Sequence, residues 1–478
     1  MRPRTKIVAT IGPASDDFDT LCRMIDAGMD VARFGFAHAS VDHQLERIDR
    51  LRKAAEASDR IVGVLADLPG PKIRAGELPD GGVFLAEGLR IALVPSHDVS
   101  TAERIAVEYD ALLDDLHPGD WVSLGDGGVR LLVDEVGEWA AHTTVLHGGR
   151  VQGRPGVHLP AERLRADVPT AEDLHIIDQL SGTEVDILAV SFVRRASDLE
   201  RTRQALAESG STPLVMAKIE TRAAVAHLDE IVDEADALMV ARGDLGVECA
   251  LEEVPHLQKR IVRTCVAFGR PVVTATEMLE SMVQSPTPTR AEATDVANAV
   301  FDGTDAVMLS AETAIGHDPV LVIQTMARIA GRAEQEADYV QWGGRLGKLQ
   351  RQSAVPPELE LTGAITHAAW QAAHEAGATA ILCCSRTGLT VRAMARFRPT
   401  AHLIGLTPRP QTARQLTLTW GAQPVITQEH SSQEDVVTQA LARATEAGLL
   451  HNGDVAAVLT GDPRTGGIDA LRLVRVIA

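Results

Sequence analysis

Eight short apolar segments recur over the first 313 residues, and each ends in small or polar residues. Their near-continuous apolar character is typical of parallel strands buried on both faces. Helical periodicity separates most of them, as in 16–27, where Phe18, Leu21, Cys22 and Ile25 recur on one face. The segments are 5–12, 29–36, 61–68, 185–192, 213–220, 237–244, 271–278 and 306–313. This alternation predicts an α/β fold with a closed (β/α)8 TIM barrel, and a doubly wound open sheet is the alternative.

Two helix starts have the spacing of a capping box, in which a hydroxyl is followed three residues later by a carboxylate. They are Ser197 with Glu200 and Thr289 with Glu292. After residue 313 we expect one helix that continues to about residue 340.

One connection between strands, from 68 to 185, is far too long for a single helix. Its middle has the alternation and glycine-rich turns of a β-domain. Beyond residue 362, helical and strand patterns alternate again and predict a separate α/β domain. The predicted domains are the first part of the barrel (1–70), an inserted small β-barrel (71–158), the second part of the barrel (159–342) and a C-terminal α/β domain (343–478).

Charge and composition exclude several classes of function. There are 46 basic and 66 acidic residues, a formal charge of −20, which disfavours a nucleic-acid partner. With 45% hydrophobic residues and no apolar run long enough to span a bilayer, we expect a globular protein without a membrane segment. No signal-peptide core and five scattered cysteines favour a cytoplasmic location.

In barrel enzymes the reactive side chains lie where the strands end, at the carboxyl face. The strand ends here supply cations, carboxylates and a hydroxyl, without the Cys/His cluster of a zinc site or a Ser/His/Asp triad. They are Arg33, His38, Asp67, Lys72, Arg74, Lys218, Glu220, Arg242, Asp244, Thr276 and Glu312.

Glu220 and Asp244 end neighbouring predicted strands, and two such carboxylates suit Mg²⁺ or Mn²⁺ together with phosphate oxygens. Lys218 lies two residues before Glu220, so both side chains leave the strand in the same direction. The structural alternative is a layer of ion pairs inside the barrel.

Thr276 is a hydroxyl among alanines on the seventh predicted strand and could deliver a proton, directly or through water. The alternative is a threonine kept for its strand propensity. Gly243, between Arg242 and Asp244, permits close approach of the backbone to a ligand.

Long motifs resemble those of the pyruvate kinase family over essentially the whole chain. They are TKIVATIGPAS (5–15), MDVARFGFAH (29–38), DLPGPKIRAG (67–76), MAKIETRAAVAHLDEI (216–231), ALMVARGDLGVE (237–248), PVVTATEMLESM (271–282) and SRTGLTVRAMARFRP (385–399). The resemblance implies transfer of a phosphoryl group from phosphoenolpyruvate to ADP, giving ATP and pyruvate. It also implies Mg²⁺ or Mn²⁺ in the site, a second Mg²⁺ that arrives with ADP, and a homotetramer.

The resemblance also implies a role for each matching residue. Lys218 and Arg33 would flank the transferring phosphoryl group, Glu220 and Asp244 would bind the divalent metal, and Thr276 would lie near the face where the enolate is protonated. The other implied roles are contacts to the phosphoenolpyruvate carboxylate around Ala241, Arg242 and Gly243, nucleotide contacts at His38 and Arg74, and a proton-relay region at Ser310 and Glu312.

The chain departs from the family where many members bind K⁺. The expected Asn, Ser and Thr are Gly35, Ala37 and Leu68, and Asp67 alone retains its side-chain oxygens. Lys72 stands where the family commonly has Glu. We therefore predict the potassium-independent branch, with the Lys72 ammonium in place of K⁺; the alternative is that Lys72 is a solvated hinge residue. Two further departures, Glu277 for Gln and Asp30 for Asn, have no explanation in the sequence.

A loop in the C-terminal domain resembles the family's binding site for a phosphorylated allosteric effector. Hydroxyls and backbone N–H groups at a helix start suit a phosphate, although a plain helix cap is an equal alternative. The loop residues are Ser385, Arg386, Thr387, Gly388 and Thr390.

Two rival functions remain open at this stage. A metal-dependent barrel lyase or aldolase acting on pyruvate enolate would share Glu220, Asp244 and an arginine, but it would need neither Lys218 nor an inserted domain. A catalytically silent paralogue would bind metabolites without turnover.

Overall fold

The computed structural model describes residues 2–37, 39–125, 127–160, 164–350, 357–429, 432–461 and 467–477. The strands are β1 (Lys6–Thr10), β2 (Val31–Gly35), β3 (Gly63–Asp67), β4 (Val83–Leu85), β5 (Arg90–Pro95), β6 (Arg104–Val107), β7 (Trp121–Leu124), β8 (Val129–Val136), β9 (Ala141–His147), β10 (Gly149–Val151), β11 (Val157–His158), β12 (Ile187–Val190), β13 (Leu214–Ile219), β14 (Ala237–Ala241), β15 (Val272–Ala275), β16 (Ala306–Leu309), β17 (Ala380–Cys384), β18 (His402–Thr407), β19 (Ala422–Ile426), β20 (Val455–Gly461) and β21 (Ile468–Arg475). The α-helices are α1 (Phe18–Ala27), α2 (Val41–Ala57), α3 (Leu112–Asp115), α4 (Ala171–Gln179), α5 (Ala196–Ser209), α6 (Arg222–Ala226), α7 (Leu228–Glu234), α8 (Arg242–Glu248), α9 (Val254–Phe268), α10 (Arg290–Asp302), α11 (Ala311–Ala314), α12 (Pro319–Glu336), α13 (Tyr339–Gln350), α14 (Pro357–Glu375), α15 (Leu389–Ala395), α16 (Pro410–Gln415) and α17 (Gln433–Glu446).

Eight parallel strands close into a barrel in the order β1-β16-β15-β14-β13-β12-β3-β2. Each predicted apolar segment contains one of these strands, which confirms the TIM barrel and excludes the open sheet. The strands are shorter than the segments because the last residues of each segment turn into the loops of the carboxyl face. That shortening places the polar ends of the segments where side chains can meet across the barrel mouth.

Four aspartates fix the amino-terminal end of the barrel, and we call them the base aspartates: Asp30, Asp186, Asp236 and Asp305. Each carboxylate accepts the backbone N–H of a residue at the start of a neighbouring strand, which satisfies a group that the sheet ladder leaves open. The four bonds are Ile7 to Asp30 at 3.0 Å, Val64 to Asp186 at 2.9 Å, Val215 to Asp236 at 2.9 Å and Val272 to Asp305 at 3.0 Å. Asp30, unexplained by the sequence, therefore has a structural role.

The C-terminal domain docks on this base. Arg398 forms a fully buried ion pair with Asp305 at 3.0 Å, and Arg414 of α16 donates to Asp186 at 2.7 Å. The domain's sheet has the order β19-β18-β17-β20-β21, with β21 antiparallel. The α/β prediction is confirmed, although the sequence pattern did not indicate β19 or β21.

Strands β4 to β11 form a separate domain, which we call the insert. The chain leaves the barrel after β3 to form it and returns to the barrel before β12. Six of its strands pair in the order β11-β7-β8-β9-β5-β6, and β4 pairs with β10. Isolated bridges join Arg74 to Gly156 and Ala75 to Val107, so the segment that enters the insert connects the two edges of the sheet. The insert has its own hydrophobic core, and its closure into a small β-barrel stays a prediction.

Two local predictions were wrong and one was confirmed. Thr289 caps α10 with Glu292 as expected. At α5, however, Ser197 lies inside the first turn, and Asp198 instead accepts the amide of Arg194 at 2.8 Å. The helix expected to run to about residue 340 is broken into α11, α12 and α13. In the part of the chain that the structure describes, no helix is long and apolar enough to cross a membrane.

Candidate active site

Lys218 lies at the centre of a buried charge cluster at the carboxyl face. Its ammonium nitrogen is 2.8 Å from Glu220 and 3.2 Å from Asp67, and it donates to the hydroxyl of Ser191 at 2.7 Å. Burial alone would lower the pKa of Lys218, but the charges of Asp67, Glu220 and Asp244 outweigh burial and raise it. The side chain is therefore a permanent cation, held by carboxylates on two sides.

Asp67 connects Lys218 to Arg33. The Arg33 guanidinium donates to Asp67 through Nε at 2.8 Å and Nη2 at 2.7 Å, and it donates to Thr10 through Nη1 at 3.0 Å. Burial opposes ionisation of Asp67, but Lys218 and Arg33 overcome it, so the pKa of this carboxyl lies below its ordinary value. The sequence had assigned Asp67 only to a monovalent-cation site; the structure gives it the further task of setting both cations in place.

Glu220 and Asp244 bring two negative charges close together. Glu220 accepts the amide of Phe192 at 2.6 Å, and burial, followed by the Asp244 charge, raises the Glu220 pKa to about 7 against the opposing effect of Lys218. Within the described ranges, the Asp244 carboxylate has no hydrogen-bond or ion-pair partner. The pair therefore carries negative charge that the protein does not fully neutralise, and this fits a divalent cation.

Thr276 follows the last residue of β15 in a strained backbone conformation. Thr276 has φ 67° and Glu277 has φ 54°, a region that costs non-glycine residues roughly 1–3 kcal/mol each. The Thr276 hydroxyl accepts the amide of Gly243 at 2.8 Å and donates to the carbonyl of Ala275 at 2.7 Å. Strain of this kind persists where surrounding contacts hold it, and it concentrates at functional sites.

Ala241, Arg242 and Gly243 form the turn from β14 into α8, which carries Asp244 in its first turn. The Arg242 side chain points away from the cluster and donates to the backbone carbonyl of Thr276. The Arg242 side chain is therefore committed to contacts within the protein, and the contact of this turn with a substrate carboxylate stays a prediction.

Glu312 is fully buried, and both of its carboxylate oxygens hold backbone amides. It accepts from Leu279 at 3.0 Å and from Ser310 at 2.6 Å. These bonds tie α11 to the loop after β15, so Glu312 supports the loop that contains Thr276.

Three predicted nucleotide-side or monovalent-site residues lie apart from the cluster or cannot be placed. Arg74 belongs to the edge of the insert, where its backbone bridges to Gly156. Lys72 is exposed at the entrance to the insert. His38 lies outside the described residues.

Two contributors were missed by the sequence interpretation: the Ser191 hydroxyl and the Phe192 amide, which contact Lys218 and Glu220. Both end the predicted strand segment 185–192, so the strand-end rule applied to every segment would have found Ser191. A contribution through a backbone amide carries no side-chain signal, and Phe192 could not have been selected in that way.

The predicted effector loop precedes α15, as expected. Gly388 has φ 77°, and buried Arg392 donates to the carbonyl of Thr387 at 3.1 Å. Burial lowers the pKa of Arg392 to about 10, with Asp236 acting in the opposite direction. A buried cation therefore lies directly behind the loop.

Comparison with known proteins gives consistent matches along the chain. Residues 2–323 match the family described as "Pyruvate kinase, barrel domain", and residues 363–474 match "Pyruvate kinase, alpha/beta domain". Proteins named "Pyruvate kinase" from Staphylococcus aureus strains MRSA252 and USA300 are each 38% identical over 475 residues, covering 99% of this chain and 80% of the relative. A solved structure of a pyruvate kinase from Cryptosporidium parvum superposes with a TM-score of 0.91 at 34% identity, covering 99% of this chain and 96% of that one.

Proposed function

The chain belongs to the pyruvate kinase family and is a phosphotransferase, and from this premise we propose that it transfers the phosphoryl group of phosphoenolpyruvate to ADP, giving ATP and pyruvate. The observation that carries this proposal is the buried Lys218, fixed between Asp67 and Glu220 beside Arg33. Phosphoryl transfer requires positioning and charge neutralisation more than covalent chemistry, and this cluster supplies both.

Arg33 and Lys218 would bind the phosphoryl oxygens. Both cations are already oriented by Asp67, so they lose little side-chain freedom when the substrate arrives. Because Lys218 is buried, its charge acts through a medium less polar than water and stabilises the transferring group more strongly.

Glu220 and Asp244 would hold a Mg²⁺ or Mn²⁺ ion. Their unneutralised charge and the raised pKa of Glu220 fit such an ion. When bound, the ion supplies positive charge beside the enolate oxygen that forms as the phosphoryl group leaves. Lys218 bridges this carboxylate pair to the phosphoryl side of the site.

Thr276 would deliver the proton that converts the enolate into pyruvate, directly or through water. Backbone groups around Ala241, Arg242 and Gly243 would contact the substrate carboxylate. They lie on the same side as Thr276, whose hydroxyl accepts the Gly243 amide. The insert would close over the barrel mouth and exclude water, which limits hydrolysis. In this closed state His38 and Arg74 would contact the nucleotide.

A coupled assay of pyruvate formation from phosphoenolpyruvate, ADP and Mg²⁺ tests the proposal. We expect a rate that requires all three components. Folded protein that forms no pyruvate under these conditions would contradict the proposal and favour the catalytically silent alternative.

We further propose that the reaction needs no K⁺. Gly35, Ala37 and Leu68 offer no side-chain oxygen to a monovalent cation. A Cβ atom added at Gly35 would lie 3.8 Å from Nη2 of Arg33, so this position faces the phosphoryl-binding guanidinium. Lys72 stands at the entrance to the insert, and closure of the insert would bring its ammonium toward the site.

Initial rates in K⁺-free buffer and in buffer with added K⁺ test this second proposal. We expect equal wild-type rates, and we expect Lys72→Ala to lower the K⁺-free rate by about tenfold or more. Lys53→Ala, which removes an exposed lysine from α2, is the matched control. A wild-type rate that depends on K⁺ would overturn the potassium-independent assignment and leave the kinase assignment intact.

We also propose that the loop 385–390 binds a phosphorylated effector, because buried Arg392 would complement an anion there. Sigmoidal dependence on phosphoenolpyruvate, relieved by a phosphorylated metabolite, is the expected behaviour and would require the predicted homotetramer or another oligomer. A hyperbolic curve that no member of a metabolite panel changes would contradict it and favour a plain helix cap.

A further inference from the structure

The strained backbone at Thr276 and Glu277 is held by contacts that none of the roles above uses. Neither residue is glycine, so positive φ at both positions must be maintained by the surroundings. The surroundings consist of one arginine from the preceding barrel loop, one aspartate from α10 and one backbone amide.

The Arg242 guanidinium holds the two peptide groups on either side of the Thr276 α-carbon. Nε donates to the carbonyl of Ala275 at 3.2 Å, and Nη2 donates to the carbonyl of Thr276 at 2.6 Å. Rotation in φ or ψ of Thr276 would turn one of these peptide groups away from the guanidinium. A planar fork of donors can restrain both rotations at once, which a single ammonium cannot do.

The Arg242 guanidinium is held in place by side chains of α9 and α10. Its Nη1 forms an ion pair with Asp295 of α10 and lies 3.4 Å from the amide oxygen of Gln258 in α9. Its side chain is only 11% exposed. The charge of Arg242 is therefore balanced within the protein, and its donors are committed to the turn.

The side chain of Thr276 is held from the same turn. Gly243 follows Arg242 directly, and its amide donates to the Thr276 hydroxyl at 2.8 Å. Asp244, the next residue, is the proposed metal ligand. The same three-residue turn therefore holds the Thr276 hydroxyl, the proposed proton donor, and carries the Asp244 carboxylate, the proposed metal ligand.

We infer that Arg242 and Asp295 are positioning residues for the proton-transfer half of the reaction. In that step the π electrons of the enolate form a new C–H bond with a proton from the Thr276 side, the enolate oxygen becomes a carbonyl, and water reprotonates the donor. Arg242 aims Thr276 at the enolate carbon, and Asp295 keeps Arg242 in place. This inference rests on the function proposed for Thr276.

The test compares Arg242→Met, Arg242→Lys and Asp295→Asn with the control Arg270→Met. Arg270 also donates to two backbone carbonyls, those of Val232 and Asp233, but it lies at the amino-terminal end of β15. Two rates are measured: steady-state pyruvate formation, and exchange of pyruvate methyl hydrogens for deuterium in D₂O, which reports proton transfer alone.

We expect Arg242→Met to lower kcat and methyl exchange by a common factor of about 10 to 100, while KM for phosphoenolpyruvate changes by less than about threefold. Arg242→Lys should recover part of the loss, and Asp295→Asn should cost less because asparagine can still accept from Arg242. Arg270→Met should leave both rates unchanged. Methyl exchange at the wild-type rate in folded Arg242→Met would overturn the inference.

A third measurement is independent of activity. Backbone amide hydrogen exchange in the peptide 275–283 should become several-fold faster in Arg242→Met, because the Arg242 guanidinium restrains that turn. It should remain unchanged in Arg270→Met. Unchanged amide exchange in Arg242→Met would contradict the inference that Arg242 holds this turn. If the wild type forms no pyruvate, the proposed function fails, and the peptide exchange still decides whether Arg242 holds the turn.

Discussion

At the base of the barrel Asp305 accepts two backbone amides and forms an ion pair with Arg398. At the carboxyl face, by contrast, the Asp244 carboxylate has no hydrogen-bond or ion-pair partner within the described residues. Both ends use aspartates beside barrel strands, and each end also contains arginine or lysine. The two ends differ in how many hydrogen bonds and ion pairs the carboxylates already make. The oxygens of the base aspartates are bonded within the protein, whereas Glu220 and Asp244 can still bind a ligand. A buried carboxylate is therefore informative about chemistry only when its partners have been counted.

The largest effect should follow from replacing Lys218. Lys218→Met keeps the length of the side chain and removes its charge, so kcat/KM should fall by about 10³-fold or more because phosphoryl-transfer charge is no longer stabilised. The coupled assay measures this. Lys259→Met, which breaks the ion pair with Asp302 on the barrel exterior, is the control and should retain activity. Retention of most activity in Lys218→Met would place the phosphoryl group elsewhere.

Replacing a base aspartate should have the opposite profile. Asp305→Asn breaks a buried ion pair, and we expect the free energy of unfolding to fall by about 3–5 kcal/mol. Activity per folded molecule should stay within about threefold of wild type, since Asp305 lies far from the mouth. Urea unfolding and the coupled assay give the two quantities. If Asp305→Asn lost activity while its free energy of unfolding was unchanged, the proposed difference between the two ends of the barrel would be wrong.

Asp244→Asn should separate binding from stability most sharply. Because Asp244 attracts Lys218 but repels Glu220, the two changes offset each other, and the variant should be about as stable as wild type in EDTA. The Mg²⁺ concentration for half-maximal activity should rise by about tenfold or more. Thermal unfolding with chelator and a Mg²⁺ titration are the measurements. Marked destabilisation would show that Asp244 is a structural carboxylate like those at the base.

The smallest effect concerns pH. Lys218 and Arg33 hold the Asp67 pKa below its ordinary value despite burial. Because the folded-state pKa is lowered, the stabilisation from Asp67 is fully present above about pH 4 and is lost as the pH falls through the lowered value. The difference in unfolding free energy between wild type and Asp67→Asn should therefore shrink on acidification from pH 6 toward pH 3. A difference that grows over this range would contradict the assigned direction.

The barrel and the main cluster were predictable because both follow from periodic signals. Apolar segments located the eight strands, and their polar ends located Lys218, Glu220 and Asp244. The sequence could not indicate which carboxylates are saturated, since Asp186 and Asp244 both adjoin a barrel strand. That distinction depends on amides such as Val64 N–H, which only the folded register brings near.

Three local features could not be predicted from the sequence: the start of α5, the backbone conformation of Thr276 and the direction of the Arg242 side chain. The N-cap of α5 is Arg195, with Asp198 as the third helical residue, because the helix begins two residues earlier than the Ser197 spacing suggested. The positive φ at Thr276 has no signal in residue type, and neither does the direction of the Arg242 side chain. Both depend on packing between successive barrel loops.

The position of the insert has a consequence for how the chain folds. Leu65 pairs with Ile187 in the barrel, yet Val64 and Asp186 at the same level are 122 residues apart in the chain. Closing so long a loop costs chain entropy, although each doubling of length adds only about 0.6 kcal/mol. An insert that first forms its own core brings its two ends together, as the antiparallel bridge between Arg74 and Gly156 shows for the finished structure. We therefore expect the insert to form early and the pairing of β3 with β12 to be a late event in folding.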